Sequence, residues 1–338
     1  MPNEAVLVTG GAGFIGSHVA RHLVAMGHAV VVLDDLSGGF EANVPAGATF
    51  VHGDAGDVDL LEWLFAQYRF KHVFHLAAYA AEGLSHFIRG FNYRNNLLTS
   101  VALINAAVRH DVATFVFTSS IAVYGRNQLP MTEELVPAPE DPYGIAKYAV
   151  ELDLRAAHEM FGLRWIVFRP HNVYGINQNL GDPYRNVIGI FMNQVMQGRP
   201  LTIFGDGTQT RAFSHIDDVA PIIARSIHVP AAIGQVFNVG ADQPVSVNEL
   251  AEAVMTAMGK RVPIEHLPPR NEVVHAYANH DKVRRVFPDQ PPPVPLAKGL
   301  AEMAAWAWQV GARQGKPFEG VELDRNLPPS WKKLLTRA

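Results

Sequence analysis

The stretch that most constrains the fold is a glycine-rich turn between two apolar runs near the start of the chain. The run Ala5–Thr9 leads into GGAGFIG at residues 10–16, and a helical pattern follows as far as Gly27. The second apolar run, Ala29–Leu33, is closed by Asp34. Glycines permit a tight turn and let backbone N–H groups and a helix N-terminus approach a pyrophosphate. This order of elements predicts a dinucleotide-binding unit, in preference to a plain strand–helix turn.

The acid after the second run indicates which dinucleotide binds. Asp34 lies eighteen residues after Gly16. A carboxylate at that place hydrogen-bonds the ribose hydroxyls of adenosine and repels a 2′-phosphate. The sequence therefore predicts NAD in preference to NADP.

Apolar runs and helical patterns go on alternating through the first half of the chain. Further strands are predicted at residues 49–51, 72–76, 114–118 and 165–168. Helices are predicted between them at residues 57–68, 92–109 and 142–161. Such alternation predicts an α/β fold, in which helices cover both faces of a doubly wound parallel sheet of the Rossmann type.

The alternation breaks down after residue 171, which indicates a second unit. Residues 215–240 read as a helix and a strand that return to the sheet. We therefore predict a dinucleotide-binding domain of residues 1–171 and 215–240. A smaller α+β substrate domain is predicted for residues 172–214 and 241–338.

The sequence DPYGIAK at residues 141–147 is the candidate for the chemistry. Asp141 suits a helix N-cap and Pro142 the first helical position, so Tyr143 and Lys147 lie on one face, four residues apart. A free tyrosine has a pKa of about 10, and a lysine cation near a helix N-terminus favours the phenolate. Ser120, just past the predicted fifth strand, can hold the substrate oxygen from which Tyr143 takes a proton.

The composition excludes several classes of protein. The chain has 338 residues, a formal net charge of −4 and no cysteine, so nothing favours nucleic acid, and disulfides or thiol nucleophiles are excluded. No membrane-spanning run or signal peptide is recognised, and we expect a cytoplasmic protein. His18 and His22 lie four apart on a predicted helix, but no third ligand accompanies them, and no metal site is predicted.

Taken together, these stretches resemble the extended short-chain dehydrogenase/reductase family, and within it the NAD-dependent nucleotide-sugar epimerases and dehydratases. The resemblance is carried by TGGAGFIG (9–16), LDDLS (33–37), GD (53–54), HLAA (75–78), TSSIAVYG (118–125), YGIAK (143–147), RPHNVYG (169–175), FGDGTQTRAFSHIDDVA (204–220) and Arg270. It implies that Tyr143 is the base, that Lys147 binds the nicotinamide ribose, and that Ser120 assists at the 4-hydroxyl of the sugar.

The fingerprint and the resemblance together give two sets of predicted binding residues. The cofactor-binding residues are Gly10, Gly13, Phe14, Ile15, Gly16, Asp34, Asp54, Ala55, Leu76, Ala77, Ala78, Asn95, Thr118, Tyr143, Lys147 and Pro170. The substrate-binding residues are Ser120, Asn172, Asn186, Val187, Thr202, Ile203, Phe204, Arg211, Arg270, Glu272 and Ala276. Within the second set, Arg211 and Arg270 are predicted to clamp a diphosphate, and Ala276 is predicted to border the sugar pocket.

The subfamily is chosen by elimination. The 4,6-dehydratases carry an Asp-Glu pair where this chain has Ser120 and Ile121, uronate decarboxylases carry a glutamate that is missing here, and uronate 4-epimerases tend to have threonine in place of Asn172. The remaining resemblance is to UDP-glucose and UDP-N-acetylglucosamine 4-epimerases, and it implies a homodimer formed through the helices at residues 92–109 and 142–161. Three alternatives stay open. They are a uronate 4-epimerase, a 4,6-dehydratase or 4-reductase with dissociable cofactor, and a non-catalytic NAD-sensing regulator.

Overall fold

The computed structural model describes residues 4–270, 273–315 and 317–335, and its largest element is a parallel sheet of seven strands. In chain order the strands are β1 (Ala5–Thr9), β2 (Ala29–Asp34), β3 (Thr49–His52), β4 (His72–His75), β5 (Thr114–Thr118), β6 (Trp165–Pro170), β7 (Val173–Tyr174), β8 (Leu201–Phe204), β9 (Thr210–Ala212), β10 (Ser214–His215), β11 (Gln235–Val239), β12 (Pro244–Ser246), β13 (Ile264–Leu267) and β14 (His275–Ala276). The large sheet has the order β11-β6-β5-β4-β1-β2-β3. The predicted α/β fold with a doubly wound parallel sheet is therefore confirmed.

Helices cover both faces of this sheet. The α-helices of the described chain are α1 (Phe14–Ala25), α2 (Val58–Tyr68), α3 (Glu82–Ser85), α4 (Arg89–Tyr93), α5 (Thr99–Arg109), α6 (Pro142–Phe161), α7 (Val187–Met196), α8 (Ile216–Arg225), α9 (Val247–Met258), α10 (Asp281–Val286), α11 (Leu296–Val310) and α12 (Pro329–Leu335). Of these, α1 and α8 pack on one face of the sheet, and α2, α5 and α6 pack on the other. The predicted bounds of α6 are confirmed at both ends, because Asp141 caps its start and Gly162, in the left-handed region, ends it. Among the described residues, no helix is long and apolar enough to cross a bilayer.

The alternation of side chains along the strands explains why helices pack on both faces of the sheet. In β1, Val6 and Val8 pack with α1 and α8 on one face, whereas Leu7 packs with α2, α5 and α6 on the other. The strands are apolar on both sides because both sides are covered, as parallel sheets require.

One predicted helix differs from the structure. The pattern at residues 92–109 predicts a single helix, but the structure has α4, then a π-helical turn over Arg94–Leu98, then α5. Insertions of this kind occur mostly at functional sites, and here the turn carries Asn95, one of the predicted cofactor-binding residues.

The remainder of the chain forms short sheets and helices around a second core. Two-stranded pairs join β7 with β10 and β8 with β13, and β12, β9 and β14 form a third small sheet. The core of this smaller half contains Phe191, Leu250 and Met303.

The two-domain division stays a prediction, although several of its segments can be located. As predicted for residues 215–240, α8 packs on α1 and β11 pairs with β6. Val283 and Phe287, which were assigned to the substrate domain, instead pack in the core of the large sheet. The C-terminal strap, defined here as residues 317–335, crosses from the smaller half to the large sheet, where Leu327 and Trp331 pack with Leu84 and Ile88.

Candidate active site

A single cleft of about 740 Å³ opens at the carboxyl ends of the sheet strands, between the sheet and the smaller half. Ligands of open α/β sheets bind at this edge, where the strand order reverses. Every predicted cofactor-binding and substrate-binding residue that the structure describes lines this cleft. Glu272 lies outside the described residues, so its predicted role has no structural counterpart.

The glycine-rich turn after β1 forms a cradle that leaves room for a ligand. Gly10 has a φ of +70°, and a Cβ atom on Gly16 would come within 2.0 Å of the Gly10 carbonyl oxygen. Gly13 caps α1 without any side-chain bond, so no capping side chain satisfies the first N–H groups of this twelve-residue helix. The residues of this first turn line the cleft. These features fit a pyrophosphate, because no side chain or capping group occupies the space beside the helix N-terminus.

The second feature of the dinucleotide fingerprint, Asp34, is held in place by backbone donors. Its carboxylate accepts hydrogen bonds from the N–H groups of Ala12 (3.0 Å) and Leu36 (2.9 Å). Burial raises the pKa of Asp34, and these two hydrogen bonds oppose the shift. The carboxylate lies at the end of β2 and lines the cleft. A carboxylate at this position can accept hydrogen bonds from the hydroxyls of an adenosine ribose.

The three predicted catalytic side chains converge at the ends of β5 and α6. Asp141 accepts a hydrogen bond from the Gly144 N–H (2.9 Å) and fixes the start of α6. Lys147 Nζ, buried one turn further on, donates to the Thr118 carbonyl oxygen at 2.9 Å. Ser120, whose Oγ accepts a hydrogen bond from the Ala122 N–H (3.1 Å), is close enough to Tyr143 to lower the pKa of its phenol. This places a serine, a tyrosine and a lysine on one wall of the cleft.

Burial dominates the electrostatics of this group. It raises the pKa of Tyr143 above its usual value, and the nearby Ser120 hydroxyl offsets only part of the rise. Burial also lowers the pKa of Lys147 to about 7, against the opposing charge of Glu151. That Lys147 favours the phenolate stays a prediction, and desolvation dominates the pKa of both side chains in so buried a place.

A buried ion pair lies beside these residues, and the sequence reasoning missed it. Glu151, fully buried, accepts from Arg169 Nε (2.9 Å) and Nη2 (2.5 Å), and Ser119 Oγ donates to it at 2.6 Å. The Arg169 guanidinium lies over the Tyr124 ring, 4.7 Å from its centroid. Glu151 follows Lys147 by four residues, so helical spacing could have placed it on the same face. Nothing in the apolar pattern of β6 indicated that Arg169 points to it.

The two predicted diphosphate ligands have different surroundings. Arg211 donates to the carbonyl oxygens of Thr210, Val273 and Val274, and so ties β9 to the segment that precedes β14. Arg270 instead lies over the ring of Phe204, with its guanidinium carbon 4.6 Å from the ring centroid. Both arginines line the cleft.

Ala276, which the resemblance implies borders the sugar pocket, lies on β14. It lines the cleft and packs beside Ile121 and Met131. Tyr277, the next residue, is absent from the cleft lining, and its carbonyl oxygen accepts a hydrogen bond from the Met131 N–H (3.0 Å). Side chains alternate between the two sides of the extended segment at residues 276–278, where Ala276 and Ala278 are buried and Tyr277 is only partly so, and this accounts for the difference.

A buried histidine pair supports the loop between β6 and β7. His171 Nδ1 faces the Ala212 carbonyl oxygen at 3.1 Å, and its Nε2 lies 3.0 Å from Nε2 of His280. His280 in turn contacts Asp242 at 2.6 Å. Burial lowers the pKa of His171 to about 3, so this ring stays neutral beside the cleft. The pair links the loop to the segment that carries Ala276.

The histidines of α1 do not form a metal site with each other in the described part of the chain. His18 Nε2 lies 3.1 Å from the Ile176 carbonyl oxygen. Elsewhere His215, Asp217 and Glu302 place ligand atoms within 4.8 Å of one another, but His215 Nδ1 is occupied as the acceptor that caps α8. The prediction of no metal site stays a prediction.

Comparison with known proteins agrees with this geometry. Residues 6–240 match the NAD dependent epimerase/dehydratase family. The UDP-glucose 4-epimerase of Mycolicibacterium smegmatis is 37% identical over 306 residues, which span 88% of this chain and 96% of that protein. The structure of Thermotoga maritima UDP-glucose 4-epimerase with UDP-glucose matches with a TM-score of 0.84 and 32% identity, over 90% of this chain and 99% of that chain. The UDP-N-acetylglucosamine 4-epimerase of Methanobrevibacter ruminantium, in complex with UDP-N-acetylmuramic acid, gives 0.81 and 29%, over 92% and 100%.

These matches cover nearly the whole chain, and the family match includes the glycine cradle, Asp34, Ser120, Tyr143 and Lys147. They confirm the resemblance stated from the sequence, together with its implications of an enzyme and of NAD as cofactor. The chain belongs to the NAD-dependent epimerase/dehydratase family.

Proposed function

We propose that this protein is an isomerase that inverts C4 of a UDP-hexose through a transient 4-keto sugar. The observation that carries the proposal is the position of Ser120, Tyr143 and Lys147, between the glycine cradle and the residues that line the smaller half of the cleft. The relatives named UDP-glucose 4-epimerase support UDP-glucose and UDP-galactose as the substrate pair.

Each catalytic side chain has a defined part in this reaction. When bound, NAD⁺ supplies the acceptor for hydride from C4 and later its donor. The Tyr143 phenol takes the proton of the 4-hydroxyl and returns it at the end, as a general base and then a general acid. Ser120 hydrogen-bonds the same sugar oxygen. Lys147, fixed by the Thr118 carbonyl oxygen, holds the nicotinamide ribose and contributes positive charge as the phenolate forms.

Inversion requires the keto sugar to present its other face to the same groups. Arg211 and Arg270 therefore hold the diphosphate while the sugar turns about it, and C4 must return to within about 3–3.5 Å of the reacting atom. The nucleotide is gripped tightly and the sugar loosely.

Two observations favour epimerisation over the alternatives in the same family. Dehydration needs an acid and a base beside the catalytic serine, and that place holds Ile121, which is buried in an apolar cluster with Met131 and Ala276. A regulator without turnover would not need the Ser120, Tyr143 and Lys147 group to be intact.

We further propose that the enzyme accepts the N-acetylhexosamine pair. The methyl group of Ala276 leaves room for a 2-acetamido group when the keto sugar turns, where a bulky ring would clash. The similarity to a UDP-N-acetylglucosamine 4-epimerase supports this.

A homodimer is proposed through α5 and α6. Met160, Phe161 and Leu152 of α6 and Leu98 before α5 are 74%, 66%, 46% and 60% exposed, respectively. Large apolar side chains exposed on these two helices suit a protein–protein contact. Sedimentation that finds only monomer at micromolar concentration would contradict the homodimer.

A cytoplasmic location stays a prediction from the sequence.

The experiment that tests the proposed function is an NMR assay with a panel of UDP-sugars. We expect UDP-glucose and UDP-galactose to interconvert, without net consumption of added NAD⁺. A 4-keto-6-deoxy product would favour a dehydratase, and no conversion of any hexose, uronate or N-acetylhexosamine would overturn the proposal.

A further inference from the structure

One wall of the cleft has no part in the chemistry described above, and the C-terminal strap forms it. Ser330 and Trp331, in the first turn of α12, line the cleft. Trp331 is only 4% exposed.

The strap is attached firmly to the sheet side. The carboxylate of Glu322 accepts hydrogen bonds from the N–H groups of Gly90 (2.7 Å) and Phe91 (2.8 Å), and the Glu322 N–H donates to the Phe87 carbonyl oxygen at 2.8 Å. A Cβ atom on Gly83, in α3, would lie 3.4 Å from the Trp331 ring. The position of Trp331 is therefore set by α3 and α4.

From this position the Trp331 ring reaches across to the smaller half. Its centroid lies 5.4 Å from that of Tyr184 and 6.3 Å from that of Phe204, with the ring planes at 84° and 75°. Edge-to-face contacts of this kind define both the distance and the orientation of aromatic rings. Trp331 thus joins the two sides of the cleft.

The contact with Phe204 brings Trp331 to one of the proposed diphosphate ligands. The guanidinium carbon of Arg270 lies 4.6 Å from the Phe204 centroid and 5.9 Å from the Trp331 centroid. Both distances are within the range of cation–π attraction. A guanidinium held against two rings has fewer orientations to lose when it binds a diphosphate with its planar fork.

The neighbouring residue gives a separate indication of a ligand. Within the described part of the chain, Ser330 Oγ is buried and has no hydrogen-bond partner. A buried hydroxyl without a partner is unfavourable, and Ser330 lines the cleft, where a polar group of a ligand can satisfy it.

We propose that Trp331 is a positioning residue for the nucleoside-diphosphate part of the substrate, because it holds Arg270 against Phe204, and that Ser330 hydrogen-bonds the same ligand. This inference rests on the proposed function, since it takes a nucleotide sugar as the ligand. It adds to that function a part for the C-terminal strap, which none of the predicted site residues included.

The test compares two replacements that preserve apolar packing and differ in their π face. In Trp331→Phe an aromatic face remains for Arg270, whereas Trp331→Leu provides apolar volume alone. Trp63→Ala is the matched control, because Trp63 is 54% exposed on α2 and does not line the cleft. For each NAD-loaded protein, calorimetry gives the Kd of UDP, steady-state kinetics on UDP-glucose give kcat and KM, and thermal unfolding gives Tm. Trp331→Met replaces the leucine variant if that variant does not fold.

We expect Trp331→Leu to bind UDP about tenfold more weakly than Trp331→Phe, with a matching rise in KM and a kcat within about twofold of wild type. Ser330→Ala should weaken UDP about threefold, and Trp63→Ala should leave UDP binding unchanged. Equal UDP affinity in the leucine and phenylalanine variants would overturn the inference, even if both lower Tm, because a purely structural part does not distinguish them. If wild type itself neither binds UDP nor converts a UDP-sugar, the proposed function fails as well.

Discussion

The two sides of the cleft are built in different ways. On the sheet side, Ser120, Tyr143 and Lys147 lie at the end of a buried strand or in the first two turns of a twenty-residue helix. On the other side, Arg211 and Ala276 lie on strands of three and two residues. Long regular elements fix the proposed catalytic atoms, whereas short strands joined by side-chain contacts carry residues that are proposed to bind the substrate. The comparison implies that changes on the sheet side affect turnover and stability, and that changes on the other side affect affinity and selectivity.

The strongest test of the sheet side removes the proposed base. We expect Tyr143→Phe to lower kcat by ~10²–10⁴-fold, the usual contribution of a general acid–base group. NAD should remain bound, because the glycine cradle and Asp34 are untouched. Single-turnover assays and the NAD content of the purified protein check both parts. A variant with near wild-type turnover would remove Tyr143 from the role of base.

The next test compares an ion pair from each side. Glu151→Gln leaves Arg169 buried without a counter-charge, and we expect a loss of ~3 kcal/mol in the free energy of unfolding. Glu252→Gln, on α9 of the smaller half, breaks the exposed pair with Arg261 and should leave stability almost unchanged. Urea unfolding of both variants measures the difference. Similar midpoints for the two would contradict the view that the buried pair supports the sheet side.

On the substrate side, Ala276→Tyr tests selectivity. We expect the ring to clash with a 2-acetamido group, and kcat/KM for UDP-N-acetylglucosamine to fall at least about tenfold more than that for UDP-glucose. Ala278→Ser, one strand repeat further on, is a control of small volume change. A wild type confined to UDP-glucose, or equal losses on both sugars, would show that Ala276 does not set the size of the pocket.

The last expected effect is a pH dependence of stability. Burial lowers the pKa of Lys147 from 10.5 to about 7, so the folded state binds fewer protons than the unfolded state between these values. The stability lost by burying the charge is therefore greatest below pH 7 and is recovered as the pH rises towards 10.5. Relative to Lys147→Met, wild type should gain stability over this range, by about 1.4 kcal/mol for each unit by which the pKa is lowered. Thermal unfolding of both proteins across this pH range tests the direction of the change. If the difference in stability between the two proteins stays constant with pH, Lys147 keeps an ordinary pKa in the fold.

Much of the sheet side could be predicted because its information is local. The spacing of apolar residues defines strands and helices, Asp141 and Gly162 define the ends of α6, and four residues of helix place Lys147 beneath Tyr143. The resemblance added the substrate side residue by residue, and those predicted residues line the cleft wherever the structure describes them.

Other features were decided only by tertiary structure. Trp331 meets Arg270 across sixty-one residues of sequence, Arg169 meets Glu151 across a helix and a strand, and His171 meets His280 across more than a hundred residues. No periodic pattern encodes such contacts, since they depend on how separate elements pack together. The pKa of Tyr143 depends on tertiary structure for the same reason. Sequence spacing gives the distance to a neighbouring charge along one helix, but the extent of burial, which dominates the pKa here, is fixed by the whole fold.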